Sequence, residues 1–243
     1  SRGLGDVYKR QVPASGRQCT TLSTMFGSHL QGMPIIAENG TYVVRDGVDI
    51  SSSTIDPNLT REVITGVRQL RNDGHDVGLV VATKSIAYLE RGDDPFVSHV
   101  ATYYHSHRIV KDLSEHTDDV IKLSIYDFRE ASEATYPTMQ RTAPEHQVIL
   151  ATPNWVDIMN PGVNKGSAVE AVQRDLGVTA DQTAIFGDFL NDLEMMPMAK
   201  WSFAMANGHP NIVKASNYVA PPNTENGVIT VLAALLGTRV PIT

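Results

Sequence analysis

A single cysteine, Cys19, leaves no partner for an intrachain disulfide and no basis for a cysteine-based zinc site. No apolar run approaches the ~20 residues a bilayer-crossing helix needs, and no signal-peptide pattern opens the chain. A cytoplasmic protein with no membrane partner is therefore expected. Positive charge is also in short supply. Lys and Arg number 20 against 27 Asp and Glu, a formal charge of −7. That balance argues against nucleic acid, because phosphate-backbone binding needs a basic face. The first eleven residues hold Arg2, Lys9 and Arg10 against Asp6, so the remainder is more acidic still, at −9. A small phosphate anion stays compatible with such a chain if its site is locally positive. Repeats and low-complexity tracts are absent too, and 243 residues at 42% hydrophobic content suffice for one large domain or two modest ones.

After Val12 strand-like and helix-like stretches alternate, which predicts an α/β architecture. Leu22, Met25, Phe26 and Leu30 fall on one face of a helix over 18–30. "MPIIAENGTYVV" reads as strand, Asn39–Gly40 turn and strand. The stretch 57–159 differs in texture: it is more polar and carries six of the eight histidines. It holds an amphipathic helix ending at Gly74 and the strand-like runs "DVGLVVAT", "VIKLSIYD" and "HQVILAT". From Asn160 the alternation resumes. "NKGSAVEAVQRDLG" predicts a helix with Ala168, Val169, Val172 and Leu176 inward and Gly177 as its stop. "TAIFGD", "WSFAMAN" and "NYVA" predict short strands, and "GVITVLAALLG" a closing apolar helix. The expected fold is a doubly wound parallel core from 12–56 and 160–243, with an inserted α/β cap at 57–159.

Three short stretches carry chemistry. In "PASGR", the Ser15 hydroxyl and the free amides behind it, with Gly16 and Arg17, form a receptor for a phosphate oxygen. An ordinary helix N-cap at Ser15 accounts for the same letters at least as well. In "NKGSAVEA", Lys165 opens a helix, where a cation opposes the dipole and gains nothing locally unless it faces an anion. A surface lysine is the plainer reading. In "AIFGDFLNDLEMM", Asp188, Asn191 and Asp192 crowd the turn after a buried strand, where α/β proteins place ligands. Two carboxylates and an amide suit a hard cation such as Mg²⁺, and the competing reading is a helix N-cap plus solvated acids. At average composition, Gly-Asp-x-x-Asn-Asp arises by chance in roughly one chain of this size in several hundred.

In this order and spacing, "ASGR", "NKG" and "GDFLND" resemble the haloacid dehalogenase (HAD) superfamily of phosphatases. "IAENGTYVV", "WVDIMNPGVNKG", "FAMANGHPNIVKAS" and "NTENGVITVL" are similar to its Cof-type branch, which carries a large α/β cap. The resemblance runs from Val12 to about Leu236. It implies hydrolysis of a phosphate monoester on a small metabolite, a sugar or cofactor phosphate, through an aspartyl phosphate and with Mg²⁺. It implies further that Asp188 ligates the metal and that Asp192 supports it and Lys165, with Asn191 beside phosphate and metal. Ser15 and Lys165 would bind phosphoryl oxygens, and Asn39 and Asn207 would lie near the site's mouth. A phosphomutase of the same superfamily is a further option.

One departure is serious. The family's Asp-x-Asp-Gly-Thr motif, which supplies nucleophile and general acid, is missing from this sequence. Asp6 in "GLGDVYKR" has neither the second aspartate nor the Gly-Thr. "DVYKRQ" matches the translated end of a transposon used for sequencing libraries, so residues 1–11 are read as adaptor-derived and the chain as an N-terminally truncated fragment. The central strand of the core would be lost with the motif, and poor solubility is expected. On that reading the chain is inactive, and a non-catalytic phosphometabolite-binding protein is the alternative. His105 and His107 in "YYHSHR" would share a face of a strand as a zinc pair does, but no third ligand accompanies them. Trp155, Trp201 and the methionines of "EMMPMA" read as core, and Pro197 as a helix end or kink. Oligomeric state is open.

Overall fold

The computed structural model describes residues 10–237. Most of the adaptor-like stretch 1–11, and 238–243 of the expected core, therefore lie outside the described residues. In chain order the main elements begin with α1 (Cys19–Phe26), β1 (Pro34–Ala37), β2 (Tyr42–Arg45) and β3 (Val48–Ser52). Next come α2 (Pro57–Asn72), β4 (Val77–Thr83), β5 (Ala87–Leu89), α3 (Asp94–Ala101) and β6 (His107–Ile109). They are followed by β7 (Val120–Asp127), α4 (Thr135–Thr142), β8 (Gln147–Leu150) and β9 (Trp155–Met159). The remainder holds α5 (Lys165–Leu176), β10 (Ala184–Gly187), β11 (Trp201–Met205), α6 (Pro210–Ala215), β12 (Tyr218–Ala220) and α7 (Gly227–Leu236). The chain divides into two compact units, one running through Val163 and one starting at Asn164.

In the first unit, β1, β2 and β3 form an antiparallel meander. Ala14 adds a parallel bridge to Ile36, secured by Ile36 N–H to Pro13 O and Ser15 N–H to Ile36 O, both 2.9 Å. The larger sheet has the order β6-β5-β4-β7-β9-β8, and all six strands come from between Pro57 and Met159. Its centre explains the near-continuous apolar runs: β7 is buried at all eight positions, as a strand covered on both faces must be. Asp56 caps α2 by accepting from Asn58 N, with Pro57 at the first helical position. The helix lays Leu59, Val63, Ile64, Val67 and Leu70 into the core shared with Leu79, Leu123, Ile125 and Ile158.

The second unit is smaller. Its strands β10, β11 and β12 pair in parallel in chain order. Asn164 caps α5 through a reciprocal box: Ser167 N donates to Asn164 Oδ1 at 2.9 Å and Asn164 N donates to Ser167 Oγ at 3.1 Å. Gly177 stops the helix in the left-handed conformation at φ 65°. Ala168, Val169 and Val172 face inward as expected, while Leu176 is half-buried. The mixed α/β class with parallel strand pairing thus matches the expected fold class. The grouping of 12–56 with 160–243 as one core stays an expectation.

Candidate active site

The first candidate turn is built on the Ala14–Ile36 bridge. Ser15 does not cap α1. Gln18 occupies that position, without a side-chain cap bond, because its fully buried amide is turned to the Ser106 main chain. Ser15 Oγ instead accepts from Arg17 N at 3.1 Å. The turn is stitched to the Glu38–Gly40 turn by Asn39 N to Ser15 O and Glu38 N to Arg17 O, each 3.0 Å. Glu38, Asn39 and Gly40 all have positive φ, rare for a glutamate and strained unless held from outside. A Cβ on Gly16 would come within 2.9 Å of Asn39 Oδ1. Ser15, Gly16 and Asn39 are therefore brought together. Arg17 is turned elsewhere: its guanidinium donates to Thr102 O at 2.6 Å and lies 5.3 Å from the Tyr103 ring centroid.

Beside this turn lies a buried polar network that was missed in the sequence. Glu38, Lys122 and Asp157 are 1%, 2% and 6% exposed. The Lys122 ammonium forms an ion pair with Glu38 Oε2, lies 4.0 Å from Asp157 Oδ2, and donates to Gly16 O at 3.1 Å. Glu38 Oε2 is held by the Lys122 ammonium, and Oε1 has no hydrogen-bond partner among the described residues. Ser124 Oγ donates to Asp157 Oδ1 at 2.6 Å, which leaves Tyr104 OH to donate to Ser124 Oγ at 3.0 Å. Asn39 Nδ2 reaches Asp157 Oδ2 at 3.4 Å. Burial pushes the Glu38 carboxyl up, with the Lys122 charge pulling the other way. Burial alone would lower Lys122, but Glu38, Tyr104 and Asp157 hold it well above its ordinary value. The available signal was a charge inside an otherwise apolar strand, in "VIKLSIYD" and "WVDIM".

In the second unit, Lys165 is the first residue of α5 and only 5% exposed. Its Nζ donates to Asp192 Oδ1 at 2.6 Å, and Asp192 is equally buried. The anion that a cation at a helix start requires is thus Asp192. The other oxygen of Asp192 accepts from Asp188 N at 3.0 Å and Phe189 N at 3.4 Å. Asp192 accordingly closes the turn into the 3-10 segment Leu190–Met198, which contains Pro197. Two glycines let the parts approach. A Cβ on Gly166 would sit 2.3 Å from Glu194 O, and one on Gly187 would sit 2.8 Å from Asp192 Cβ. Asp188 is exposed and accepts from Asn223 Nδ2 at 3.4 Å. Asn223 and Asn207 bond reciprocally, at 2.9 and 3.2 Å, so Asn207 reaches Asp188 through Asn223, a residue not singled out in the sequence.

These donors decide what a hard cation could use. The exposed Asp188 carboxylate is an oxygen ligand of the kind Mg²⁺ takes, and one or two such carboxylates with waters suffice. Asp192 has both oxygens engaged by protein donors, so it fits a supporting role and not a ligand of the metal itself. Asn191 is exposed beside them. Among the described residues no group of three or more His, Cys, Asp or Glu side chains could hold a metal. His105 and His107, for which the sequence offered no third ligand, form no such group. His105 precedes β6, and His107 Nδ1 lies 2.9 Å from Tyr104 O. Trp155 is buried as expected, and Trp201 is half-buried with its indole N–H on Asp181 O at 3.2 Å. No helix among the described residues is long and apolar enough to cross a membrane.

Comparison with known proteins shows the family. The chain is 29% identical over 238 residues to the Escherichia coli 5-amino-6-(5-phospho-D-ribitylamino)uracil phosphatase YbjI, covering 96% of this chain and 85% of that one. A Bacillus subtilis protein of the same name, YcsE, is 30% identical over 88 residues, which is 36% of this chain and 35% of that one. Among solved structures, TM0651 from Thermotoga maritima superposes with a TM-score of 0.81 at 23% identity, covering 93% and 84% of the two chains. The HAD subclass IIB sugar phosphatase BT4131 superposes with a TM-score of 0.74 at 20% identity, covering 94% and 85%. The model of the haloacid dehalogenase-like hydrolases matches residues 10–232. By that match this chain belongs to the haloacid dehalogenase-like hydrolases, in their Cof-type phosphatase branch.

Proposed function

We propose that the protein recognises the phosphoryl group of a small phosphorylated metabolite and, where an aspartate nucleophile is supplied, hydrolyses it as a phosphate monoester. The observation that carries this reading is the buried Lys165–Asp192 pair, which holds a cation at a helix start beside the Asp188 turn. Lys165 has three donor protons and Asp192 takes one, so the others are available to phosphoryl oxygens. In the first unit, taken by itself, the Ser15 hydroxyl would offer a phosphoryl oxygen a donor, with Asn39 beside it. Asp188 would hold Mg²⁺, whose chemistry when bound is to offset the negative charge of the phosphoryl oxygens. Asn191 and Asn207 would border the ligand in the second unit. Sugar phosphates and cofactor phosphates are the substrate classes. The ribitylaminouracil phosphate in the names of the two relatives belongs in the first panel tested.

The 243 residues contain no Asp-x-Asp-Gly-Thr, and that observation favours a second reading for the sequence as it stands: binding without turnover. With Mg²⁺ and para-nitrophenyl phosphate, no steady hydrolysis is expected, while calorimetry should detect inorganic phosphate binding that Mg²⁺ strengthens. Lys165→Met should abolish that binding. Hydrolysis at an ordinary enzymatic rate would refute the binding-only reading, and an unmodified chain that ignores phosphate would refute both.

A further inference from the structure

Lys122 lies in the middle of β7, a fully buried strand, 106 residues away in sequence from the Ser15–Arg17 turn it touches. Charge balance alone does not explain that reach. Glu38 and Asp157 already outnumber the ammonium, yet it also donates to a neutral main-chain acceptor, Gly16 O. The other two carbonyls of the turn are taken by Asn39 N and Glu38 N, so Lys122 fixes the last one. The Gly16–Arg17 peptide is trans, and its planarity makes the Arg17 N–H point opposite to the Gly16 carbonyl. That N–H donates to Ser15 Oγ. A hydroxyl that accepts there keeps its own proton for another acceptor.

We propose that Lys122 is a positioning residue for the phosphate site: by holding the Gly16 carbonyl it aims the Arg17 amide at Ser15 Oγ, and so presents the Ser15 hydroxyl proton to a phosphoryl oxygen. The inference rests on the reading of Ser15 as a phosphate ligand. A lysine suits the task because its compact ammonium can donate to Gly16 O while facing the Glu38 and Asp157 carboxylates. The planar fork of an arginine would not match that arrangement.

Lys122→Met alone would leave two buried carboxylates facing no cation, so the working variant is Lys122→Met with Glu38→Gln. Cooperative melting establishes that it folds. Inorganic phosphate is titrated into the unmodified chain, Ser15→Ala, Glu38→Gln, Lys122→Met/Glu38→Gln and the combination of all three. Ser15→Ala and Lys122→Met/Glu38→Gln should each weaken binding by about tenfold, the scale of one hydrogen bond to a charged group. Combined, they should weaken it no further, because both remove the same donated proton. Glu38→Gln alone should bind as the unmodified chain does. Lys122→Gln/Glu38→Gln, which keeps a donor near Gly16 O, should recover most of the affinity. Losses that multiply to about a hundredfold would overturn the proposal, as would a Glu38→Gln loss equal to that of the double variant. Wild-type affinity in Lys122→Met/Glu38→Gln would overturn it while leaving Ser15 a phosphate ligand. Absence of phosphate binding to the unmodified chain, or no effect of Ser15→Ala, would overturn the phosphate-site reading and this proposal with it.

Discussion

Lys165 and Asp192 are each about 95% buried and meet at 2.6 Å, so removing one strands the other in a low-dielectric setting. Breaking such a pair typically costs about 3–5 kcal/mol. Lys165→Met should approach that figure in chemical denaturation, whereas Lys165→Met/Asp192→Asn should recover part of it, since Asn can still accept the Asp188 amide. No recovery would mean that the loss comes from the lysine's packing and not from the stranded charge. Gly166→Ala tests the close approach of α5 to the following turn. The new methyl would meet main-chain atoms, Glu194 O at 2.3 Å and Glu194 C at 2.7 Å, which cannot rotate away as a side chain can. A loss of about 1–3 kcal/mol is expected, and an unchanged melting temperature would contradict it. At this scale legibility tracked sequence distance. Asp188, Asn191 and Asp192 lie within five consecutive residues and were readable as a group. Lys122 and Asp157 each look like an isolated charge until β7 and β9 pair. Asn223 was hidden because asparagine in a loop has many ordinary uses.

The Glu38–Gly40 turn shows how an element is held by something it does not contain. The sequence signalled a turn at Asn39–Gly40, and a turn is there. It gave no hint that Glu38 would also take φ 51° and bury its carboxylate. The Ser15 turn supplies the missing constraint through its two main-chain carbonyls. The same distance effect explains why Ser15 looked like a helix cap: Gln18, three residues on, takes the cap position before α1, its side chain bound to the Ser106 main chain. Glu38 also gives this element a pH signature. Burial raises its carboxyl above the ordinary 4.5, so the folded chain binds that proton more tightly than the unfolded one. The resulting stability is complete below 4.5 and is lost as pH climbs through the folded value. Lys122, raised above 10.5, contributes stability that is present up to that pH and lost only beyond it. It is therefore silent in the acidic and neutral range. Melting temperatures of the unmodified chain and Glu38→Gln should coincide near pH 4, and the unmodified chain should fall behind as pH rises toward 8. A gain by the unmodified chain over that range would show that the Lys122 charge outweighs burial.

Across the whole molecule the apolar burial is uneven. The first unit has a broad core around β4, β7 and β9, from Ile55 to Ile158, and a second cluster centred on Phe96, Leu89 and Trp155. The buried cluster around the three-stranded sheet of the second unit is Phe203, Met205 and Ala220, with Phe186, Trp201, Val228 and Val231 partly covered. Several of its large apolar side chains face solvent: Ile229, Leu235 and Leu236 on α7, Tyr218 and Val219 on β12, and Phe189 and Leu190 after β10. Most strand-like and helix-like stretches were readable from periodicity, but this asymmetry was not, because an apolar helix such as "GVITVLAALLG" predicts burial wherever it lies. Local stability follows buried apolar area and shielding of backbone hydrogen bonds. Native-state amide exchange should therefore show β11 and α7 opening at markedly lower free energy than β7, even though β11 is flanked on both sides as β7 is. The exposed side chains should also make the opened form self-associate, so concentration should speed irreversible loss on heating. Equal protection of β11 and β7, with a single concentration-independent transition, would show that the two units share one cooperative core.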